Sequence, residues 1–415
     1  NFIVFTMQES MLSRESEPTT DKVEVTLRSI SQNIIVFVFG LLPLFFVPVS
    51  YIGFDYAKTI FVILGVLLAI IFFSLSVLRS VKIQIAAPLA LAVLWLVALS
   101  TLISALLSGD LHDALIGDDF AVHTALFVGL LALVATVASV TGQTKSTIMR
   151  LYILLTGSAV VLGVFHLVRL LFGSGALSLG VFTSLVSTPI GGWNDLALFF
   201  GLCILLSLVA LEQLPLTKWG KALFSTVVGF SLVMLAIVNF FAVWIVLGLV
   251  SLVVLMYTLT KDRFSEKTLT LEGKSNTVSM QSVILSVIVF LVSVIFIIGG
   301  GTVGAYIAQK THISYIEVRP SFSATTEISR HVFAQNAFVG TGPNKFVDAW
   351  RMFKDPSINQ TIFWATDFRG ANGYITTQFV TTGILGMLSW LLFFGLFLFA
   401  GFKMLFRSVH VDRFW

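Results

Sequence analysis

The sequence has few charged residues, which occupy 11% of its 415 positions. A soluble protein carries roughly a quarter charged residues, so a water-soluble globular fold is excluded. The single cysteine, Cys203, excludes an internal disulfide. The sequence shows no metal-ligand spacing, phosphate-binding loop or basic nucleic-acid-binding patch, so no nucleic-acid partner is predicted. By contrast, 57% of the residues are hydrophobic and the mean hydropathy is +0.98, which predicts an all-α integral membrane protein in a lipid bilayer.

Apolar runs set the predicted number of membrane helices. A helix needs about 20 mainly apolar residues to cross a bilayer. The sequence therefore predicts about ten transmembrane helices, with one large loop between the last two. The ten runs are 33–51, 57–78, 84–107, 119–141, 149–172, 192–212, 220–239, 241–260, 280–300 and 383–407.

These runs divide the chain into four parts. A polar tail comes first, then a bundle of nine helices, a long mixed-polarity loop, and a final part with a motif segment and the last helix. The sequence begins at Asn1, and Met7 is a candidate first residue. The four parts are 1–30, 31–300, 301–373 and 374–415.

Basic residues are concentrated in alternate loops. Loops on the side of the amino terminus hold sixteen of the 25 basic residues, whereas the short loops on the other side are acidic or uncharged. The positive-inside rule then places both chain ends in the cytoplasm and the 301–373 loop outside. We predict a multi-pass protein of the inner, cytoplasmic membrane. The sixteen residues are Arg14, Lys22, Arg28, Arg79, Lys82, Lys145, Arg150, Lys218, Lys221, Lys261, Arg263, Lys267, Lys274, Lys403, Arg407 and Arg413.

The long loop contains a predicted helix, with one arginine just before it and another within it. The pattern after Pro320 predicts a helix to about Phe338, with Pro320 at its first position. Arg319 and Arg330 are eleven residues apart, close to three turns, which would put them on one face roughly 16 Å apart. Two guanidinium groups on one face can hold a phosphate-bearing ligand. The alternative is that Arg330 pairs with Glu327 on a solvated face.

Three polar residues near membrane-helix ends each have two interpretations. Asn194 and Asp195 open the sixth predicted helix, where they either cap its free N–H groups or line a ligand cavity. Arg169 lies three residues after His166 near the end of the fifth helix. It either extends to the lipid head groups or contacts the phosphate of a lipid ligand.

Several motifs occur in a characteristic order. Arg319 is followed three residues later by Phe322, and a predicted helix leads to "FVGTGPNKF" at Phe338–Phe346. "GILG" follows at the start of the last membrane helix, and "STPIGGWNDLALFF" at Ser187–Phe200 comes earlier in the chain. Order, spacing and position in a large loop between late helices carry more weight than any single motif. The arrangement resembles the bacterial O-antigen ligase and O-antigen polymerase family.

The resemblance implies a GT-C-type glycosyltransferase. Such a protein moves a glycan from undecaprenyl diphosphate to a glycan or lipid-glycan acceptor on the outer face of the membrane, with no cofactor and no metal. The resemblance gives catalytic roles to Arg319 and Arg330, which would stabilise charge on the leaving diphosphate, and to Asn372. It also implies substrate-binding roles for Arg169, Asn194, Asp195, Gly340, Gly342, Asn344, Arg369, Gly373 and Tyr374.

The sequence departs from the family at the proton acceptor. Asn372 stands where the family has a histidine, and an amide does not take a proton at neutral pH. His331, Glu327 or Asp367 are candidate replacements; alternatively, donor reactivity and the arginines suffice. Asn372 and Gly373 also fit a tight turn at the start of a helix. Two other functions stay open: a transporter or flippase of lipid-linked polysaccharide, and a non-catalytic relative of the ligases.

Overall fold

The computed structural model describes most of the chain. The predicted tail up to residue 21 and the charged stretch at 266–279 lie outside the described residues. Within the described residues every regular element is a helix, apart from an isolated bridge between Thr188 and Gly191. The described residues are 22–79, 89–118, 121–141, 145–214, 216–265, 280–313, 315, 319–361 and 363–410.

Thirteen α-helices and one 3-10 helix make up the regular structure of these residues. In chain order they are α1 (Lys22–Leu41), α2 (Phe54–Arg79), α3 (Leu89–Leu106), α4 (Leu111–Leu115), α5 (Ala125–Thr141), α6 (Lys145–Phe172), α7 (Trp193–Gln213), α8 (Lys218–Val238), α9 (Phe241–Ser265), α10 (Met280–Thr311), α11 (Phe322–Asn336), α12 (Phe346–Phe353), a 3-10 helix (Pro356–Gln360) and α13 (Tyr374–His410).

Most of these helices have the length and composition of membrane spans. Among the described residues, nine helices are long and apolar enough to cross a bilayer: α1, α2, α3, α6, α7, α8, α9, α10 and α13. The remaining predicted run corresponds to α5, which is apolar but has only 17 residues. The fold is therefore all-helical, with the many apolar helices of a multi-pass membrane protein.

The first predicted span, 33–51, is displaced in the structure. α1 begins at Lys22 and ends shortly before Pro43. Proline disfavours helical backbone at the residue before it, so the helix stops although the apolar run continues. The Lys58 side chain on α2 donates to two of the carbonyl oxygens that follow α1. The prediction followed apolarity alone and missed this proline boundary.

Two other boundaries also differ from those predicted. α10 continues through Gly299–Gly301 to Thr311, so the predicted loop start at 301 lies inside a helix. α13 starts at Tyr374, before the predicted span at 383–407. The segment between these helices is correspondingly shorter and contains α11, α12 and the 3-10 helix. The helices α10 and α13 therefore extend further into this segment than the apolar runs indicate.

The chain forms two compact units. The first consists of Asn1–Ile35, Val62–Gln143 and Ile316–Phe402, and the second of Val36–Phe61, Thr144–Tyr315 and Lys403–Trp415. In the second unit, α6 to α10 pack around a large apolar core. The fully buried Trp244 ring stacks on Phe296 in this core, with the ring centroids 4.3 Å apart.

The first unit contains two smaller apolar clusters. One joins α3, α5 and α13 through residues such as Val97, Val128 and Trp390. The other lies in the segment before α13, where α11 and α12 pack together and bury Ile328 and Trp350. This cluster also includes Val380 of α13, and it positions the candidate site.

Candidate functional site

A hydrogen bond joins Arg319 and Asn372, two of the three predicted catalytic residues. The Nη1 group of Arg319 donates to the carbonyl oxygen of Asn372 at 3.3 Å. The Nδ2 group of Asn372 donates to the carbonyl of Pro320 at 3.1 Å, and its backbone N–H donates to Thr325 Oγ1 at 3.1 Å. The start of α11 is therefore tied to the start of α13.

α11 begins later than predicted. Ser321 is the N-cap, and its hydroxyl oxygen accepts a hydrogen bond from the N–H of Ala324 at 3.1 Å. Pro320 consequently lies before the helix, not at its first position. Arg319 is outside the helix as well, so the helical spacing predicted for Arg319 and Arg330 does not apply.

Arg330 lies on the exposed face of α11. Its Nη1 group is 3.5 Å from the Glu327 carboxylate, and both side chains are largely exposed. The opposite face, with Thr325 and Ile328, is buried. The predicted ion pair between Arg330 and Glu327 is therefore present, and the structure does not bring Arg330 to the contact between Arg319 and Asn372.

A cleft of about 240 Å³ opens beside Arg319. The exposed Arg319 lies among its lining residues, together with apolar and aromatic side chains. The buried Trp350 donates its indole N–H to the carbonyl of Thr366 at 3.0 Å and packs edge-on against Phe368. An arginine above aromatic walls suits a ligand with both an anionic and a sugar part. The lining residues are Arg319, Pro320, Ser321, Ala324, Trp350, Ile358, Thr361, Phe363 and Phe368.

Threonines at the start of α13 hold the backbone around Gly373. The carbonyl of Gly373 accepts from the hydroxyls of Thr376 and Thr377, both at 2.8 Å. The N–H of Ala371 donates to Thr377 Oγ1 at 2.9 Å. Gly373 thus lies in a hydrogen-bonded turn at the helix start, as its sequence indicated. The ring of the next residue, Tyr374, packs edge-on against Trp390 at 5.2 Å.

α13 is interrupted at Gly383, where the backbone has φ 62° and ψ −160°. The interruption leaves backbone N–H and carbonyl groups of α13 without partners inside the helix, and these groups form hydrogen bonds with residues 337–342. The N–H groups of 341–342 donate to the carbonyls of 380–381 at 3.1 and 2.8 Å. The N–H groups of 384–385 donate to the carbonyls of 337–338 at 3.0 and 3.2 Å. The interrupted helix and the turn therefore supply hydrogen-bond partners for each other's backbone groups.

The predicted substrate-binding residues of this turn are engaged in packing. A Cβ on Gly340 would lie 2.4 Å from the carbonyl oxygen of Val380, and one on Gly342 would lie 2.4 Å from Ser108 Cβ. Asn344 has φ 64°, and its Nδ2 group donates to Asp113 Oδ1 at 2.9 Å. All three contact protein, which explains the Gly-Thr-Gly-Pro-Asn motif by close backbone approach.

The candidate replacement bases have partners away from the cleft lining. His331 is 3.3 Å from Glu327 and stacks on Phe353. Asp367 accepts two hydrogen bonds from Arg351, and this lowers the pKa of its carboxyl group. Arg369 is exposed and makes no hydrogen bond within the described residues. Of the described residues that line the cleft, none is a carboxylate or a histidine.

The remaining predicted site residues belong to the second unit. Asp195 accepts a hydrogen bond from the N–H of Gly192 at 3.0 Å at the start of α7, which confirms the capping interpretation. Asn194 is half-buried beside it. Arg169 has 0% exposure and donates through Nη2 to the carbonyls of Phe182 and Ser184, so it does not extend to the lipid head groups.

Sequence reasoning missed some of the residues that build the site. Thr325 anchors Asn372, and Phe363 and Phe368 line the cleft. The helical spacing of Ile328 and Val332 is a sequence signal that could have indicated the buried face containing Thr325. No cluster of three or more potential metal ligands occurs among the described residues.

No protein-family model matches the chain, and a search of curated proteins finds no match. The roles of the site residues therefore depend on the local motif resemblance and on the geometry above.

Proposed function

We propose that the protein is a membrane glycosyltransferase that moves a glycan from undecaprenyl diphosphate to an acceptor on the outer face of the inner membrane. The observation that carries the proposal is the contact between Arg319 and Asn372 beside the cleft. Two motif positions that lie far apart in sequence meet there. Arg330, by its exposed pairing with Glu327, has no part in the proposed chemistry.

Arg319 has the features needed to hold a lipid diphosphate. Its guanidinium is exposed, and a hydrogen bond to the Asn372 carbonyl helps to anchor it. In the transfer, the acceptor oxygen bonds to the anomeric carbon of the glycan. The bond from that carbon to the diphosphate oxygen breaks, and negative charge grows on the diphosphate. A planar cation held beside it stabilises that charge.

Asn372 positions the acceptor in this proposal. Its Nδ2 group is used by Pro320, whereas its Oδ1 atom has no hydrogen-bond partner among the described residues. Oδ1 can therefore accept a hydrogen bond from an acceptor hydroxyl. The hydroxyl proton passes to solvent or to the departing diphosphate, because the amide cannot hold it. The reaction then depends on donor reactivity and on Arg319.

The interruption in α13 is the observation that raises a transporter as the second candidate. Interrupted helices such as α13 occur in transporters, where the free backbone groups bind substrate. Here the groups next to Gly383 are bonded to residues 337–342 instead. The interruption is therefore better explained by the packing of residues 337–342 against α13 than by a substrate pathway.

Photo-crosslinking tests the proposed donor site. The full chain in membranes is irradiated with a photoreactive undecaprenyl diphosphate analogue, and the labelled peptides are identified. We expect labelling near Arg319 or Asn372 that unlabelled undecaprenyl diphosphate removes and that Arg319→Ala reduces. Labelling confined to other segments, or unaffected by Arg319→Ala, would contradict the assignment.

A further inference from the structure

Arg169 in the second unit is a buried cation, and no counter-charge lies beside it among the described residues. Arg169, in the last turn of α6, has 0% of its surface exposed, and His166 one turn earlier has 1%. Within the described residues, no carboxylate lies within ion-pair distance of Arg169. A charged group removed from water needs a partner of opposite charge or a full set of hydrogen bonds.

Only some of the N–H groups of Arg169 have a hydrogen-bond acceptor among the described residues. A guanidinium has five N–H groups. The Nη2 group donates to the carbonyls of Phe182 and Ser184, but the Nη1 and Nε groups have no acceptor. The Nε2 atom of His166 is also buried without a partner. Unfilled donors and an unpaired charge occur together at this one place.

Aromatic rings fix the position of these groups. The Arg169 guanidinium carbon lies 5.2 Å from the ring centroid of Phe165 and 5.7 Å from that of Phe182. The imidazole of His166 packs edge-on against Phe165 and Trp193. The rings restrict how far Arg169 can move toward any other protein acceptor. Two of its nitrogen atoms, Nη1 and Nε, are therefore held where the described residues supply no acceptor.

We propose that Arg169 and His166 form an internal anion site in the second unit that binds one phosphate group. The open N–H groups on Nε and Nη1 of Arg169 can each donate to a phosphate oxygen, and the negative charge supplies the missing counter-charge. His166 Nε2 gives a further polar contact. The phosphate comes from a lipid head group or from a free phosphate ion. Because Arg169 is fully covered, the ligand enters only when the covering segment, 173–192, moves.

This proposal does not depend on the proposed function, since it requires anion binding and no transfer. The test uses the full chain, freed of lipid and held in a maltoside detergent that contains no phosphate. Thermal unfolding is followed while sodium phosphate is added, against sodium chloride at equal ionic strength. A second arm adds phosphatidylglycerol, against diacylglycerol, which has no phosphate.

We expect phosphate or phosphatidylglycerol to raise the Tm of the parent protein. Arg169→Lys keeps the charge but removes the separate Nε and Nη1 donors, so it should need at least about 10-fold more ligand for the same rise. Arg150→Lys on the same helix should behave like the parent. A response to phosphatidylglycerol alone would identify a lipid head group, and a response to both would identify phosphate itself.

Two results would overturn the site. One is a parent protein whose Tm responds to neither phosphate source; the other is an equal response in Arg169→Lys. Either would make Arg169 a clamp for the 173–192 segment only. If Arg169→Lys does not fold, His166→Phe replaces it, because it leaves the Arg169 bonds to Phe182 and Ser184 intact. An unchanged response in His166→Phe would then count against the site.

Discussion

Asn372 is held by its backbone and by its side chain. Its backbone carbonyl accepts a hydrogen bond from Arg319, and its backbone N–H donates to Thr325. Its side-chain amide donates to the carbonyl of Pro320. These three bonds order two chain segments at once. Only the bond from Nδ2 to Pro320 depends on the side chain, and it gives asparagine a positioning role that needs no proton transfer.

Replacing Asn372 with alanine should destabilise this junction. The Pro320 carbonyl would lose its donor, and a partly buried group left unsatisfied costs about 1–3 kcal/mol. Denaturant unfolding in detergent measures the change. Asn359→Ala is the matched control: Asn359 is exposed in the 3-10 helix and should change stability by less than about 0.5 kcal/mol. Equal stability of the two variants would contradict the role given to Asn372.

Asp367 should titrate below the ordinary aspartate range. Hydrogen bonds from Arg351 lower the pKa of its carboxyl group from the usual 3.8. Because the folded-state pKa is the lower one, the pair stabilises the fold above the unfolded pKa, and this contribution disappears as pH falls through the folded pKa. The contribution is small since both side chains are exposed.

Carbon NMR of labelled aspartate carboxyl groups measures this pKa directly. We expect the Asp367 midpoint below 3.8 in the parent and a return toward 3.8 in Arg351→Ala. A midpoint that Arg351→Ala leaves in place would show that the ion pair does not form in solution.

At the scale of elements, α13 and residues 337–342 are joined by backbone hydrogen bonds. The four backbone bonds around Gly383 replace those that a straight helix would make. Ser104 on α3 adds a donor to the carbonyls of Val339 and Thr381. The motif "GTGPN" therefore contributes backbone fit to the helix break, and a ligand role for Gly340 and Gly342 has no support from their contacts.

Gly383→Ala should be strongly destabilising. The position has φ 62°, and a Cβ would lie 2.6 Å from the carbonyl of Ala337. With ψ −160°, the backbone lies in a region that essentially only glycine adopts, which costs another residue roughly 1–3 kcal/mol, and the clash adds to this. Thermal unfolding measures the loss. Gly395→Ala, on the same helix in open space, should be neutral or stabilise by about 0.4–1 kcal/mol. Similar Tm values for the two variants would argue that the interruption at Gly383 is absent.

At the scale of the whole molecule, composition was sufficient to predict an all-helical membrane protein. Apolarity located the spans but not their ends, because Pro43 stops α1 and the glycines at 299–301 do not stop α10. The contact between Arg319 and Asn372 was predicted only as shared membership of one site. Its hydrogen bonds depend on tertiary packing that no local pattern contains. The burial of Arg169 was unpredictable for the same reason.

The orientation in the membrane stays a prediction from charge. We expect the 319–373 segment outside and the 261–279 loop in the cytoplasm. Single cysteines at Met352 and Thr270, in a Cys203→Ser background, test this with a membrane-impermeant thiol reagent. Reagent added outside intact cells should label position 352 and spare position 270. The reverse pattern would contradict the orientation.

The most direct test of the account is glycan transfer by the full chain. Membranes that contain the protein receive labelled glycan on undecaprenyl diphosphate together with candidate acceptors, and the rate of release from the lipid is measured. We predict that Arg319→Ala and Arg319→Lys each lose about 100-fold in rate, because lysine keeps the charge without the planar fork. Arg351→Ala, which removes an exposed arginine of the same segment, should keep the parent rate. Transfer at the parent rate by folded, membrane-inserted Arg319→Ala would contradict the proposed mechanism.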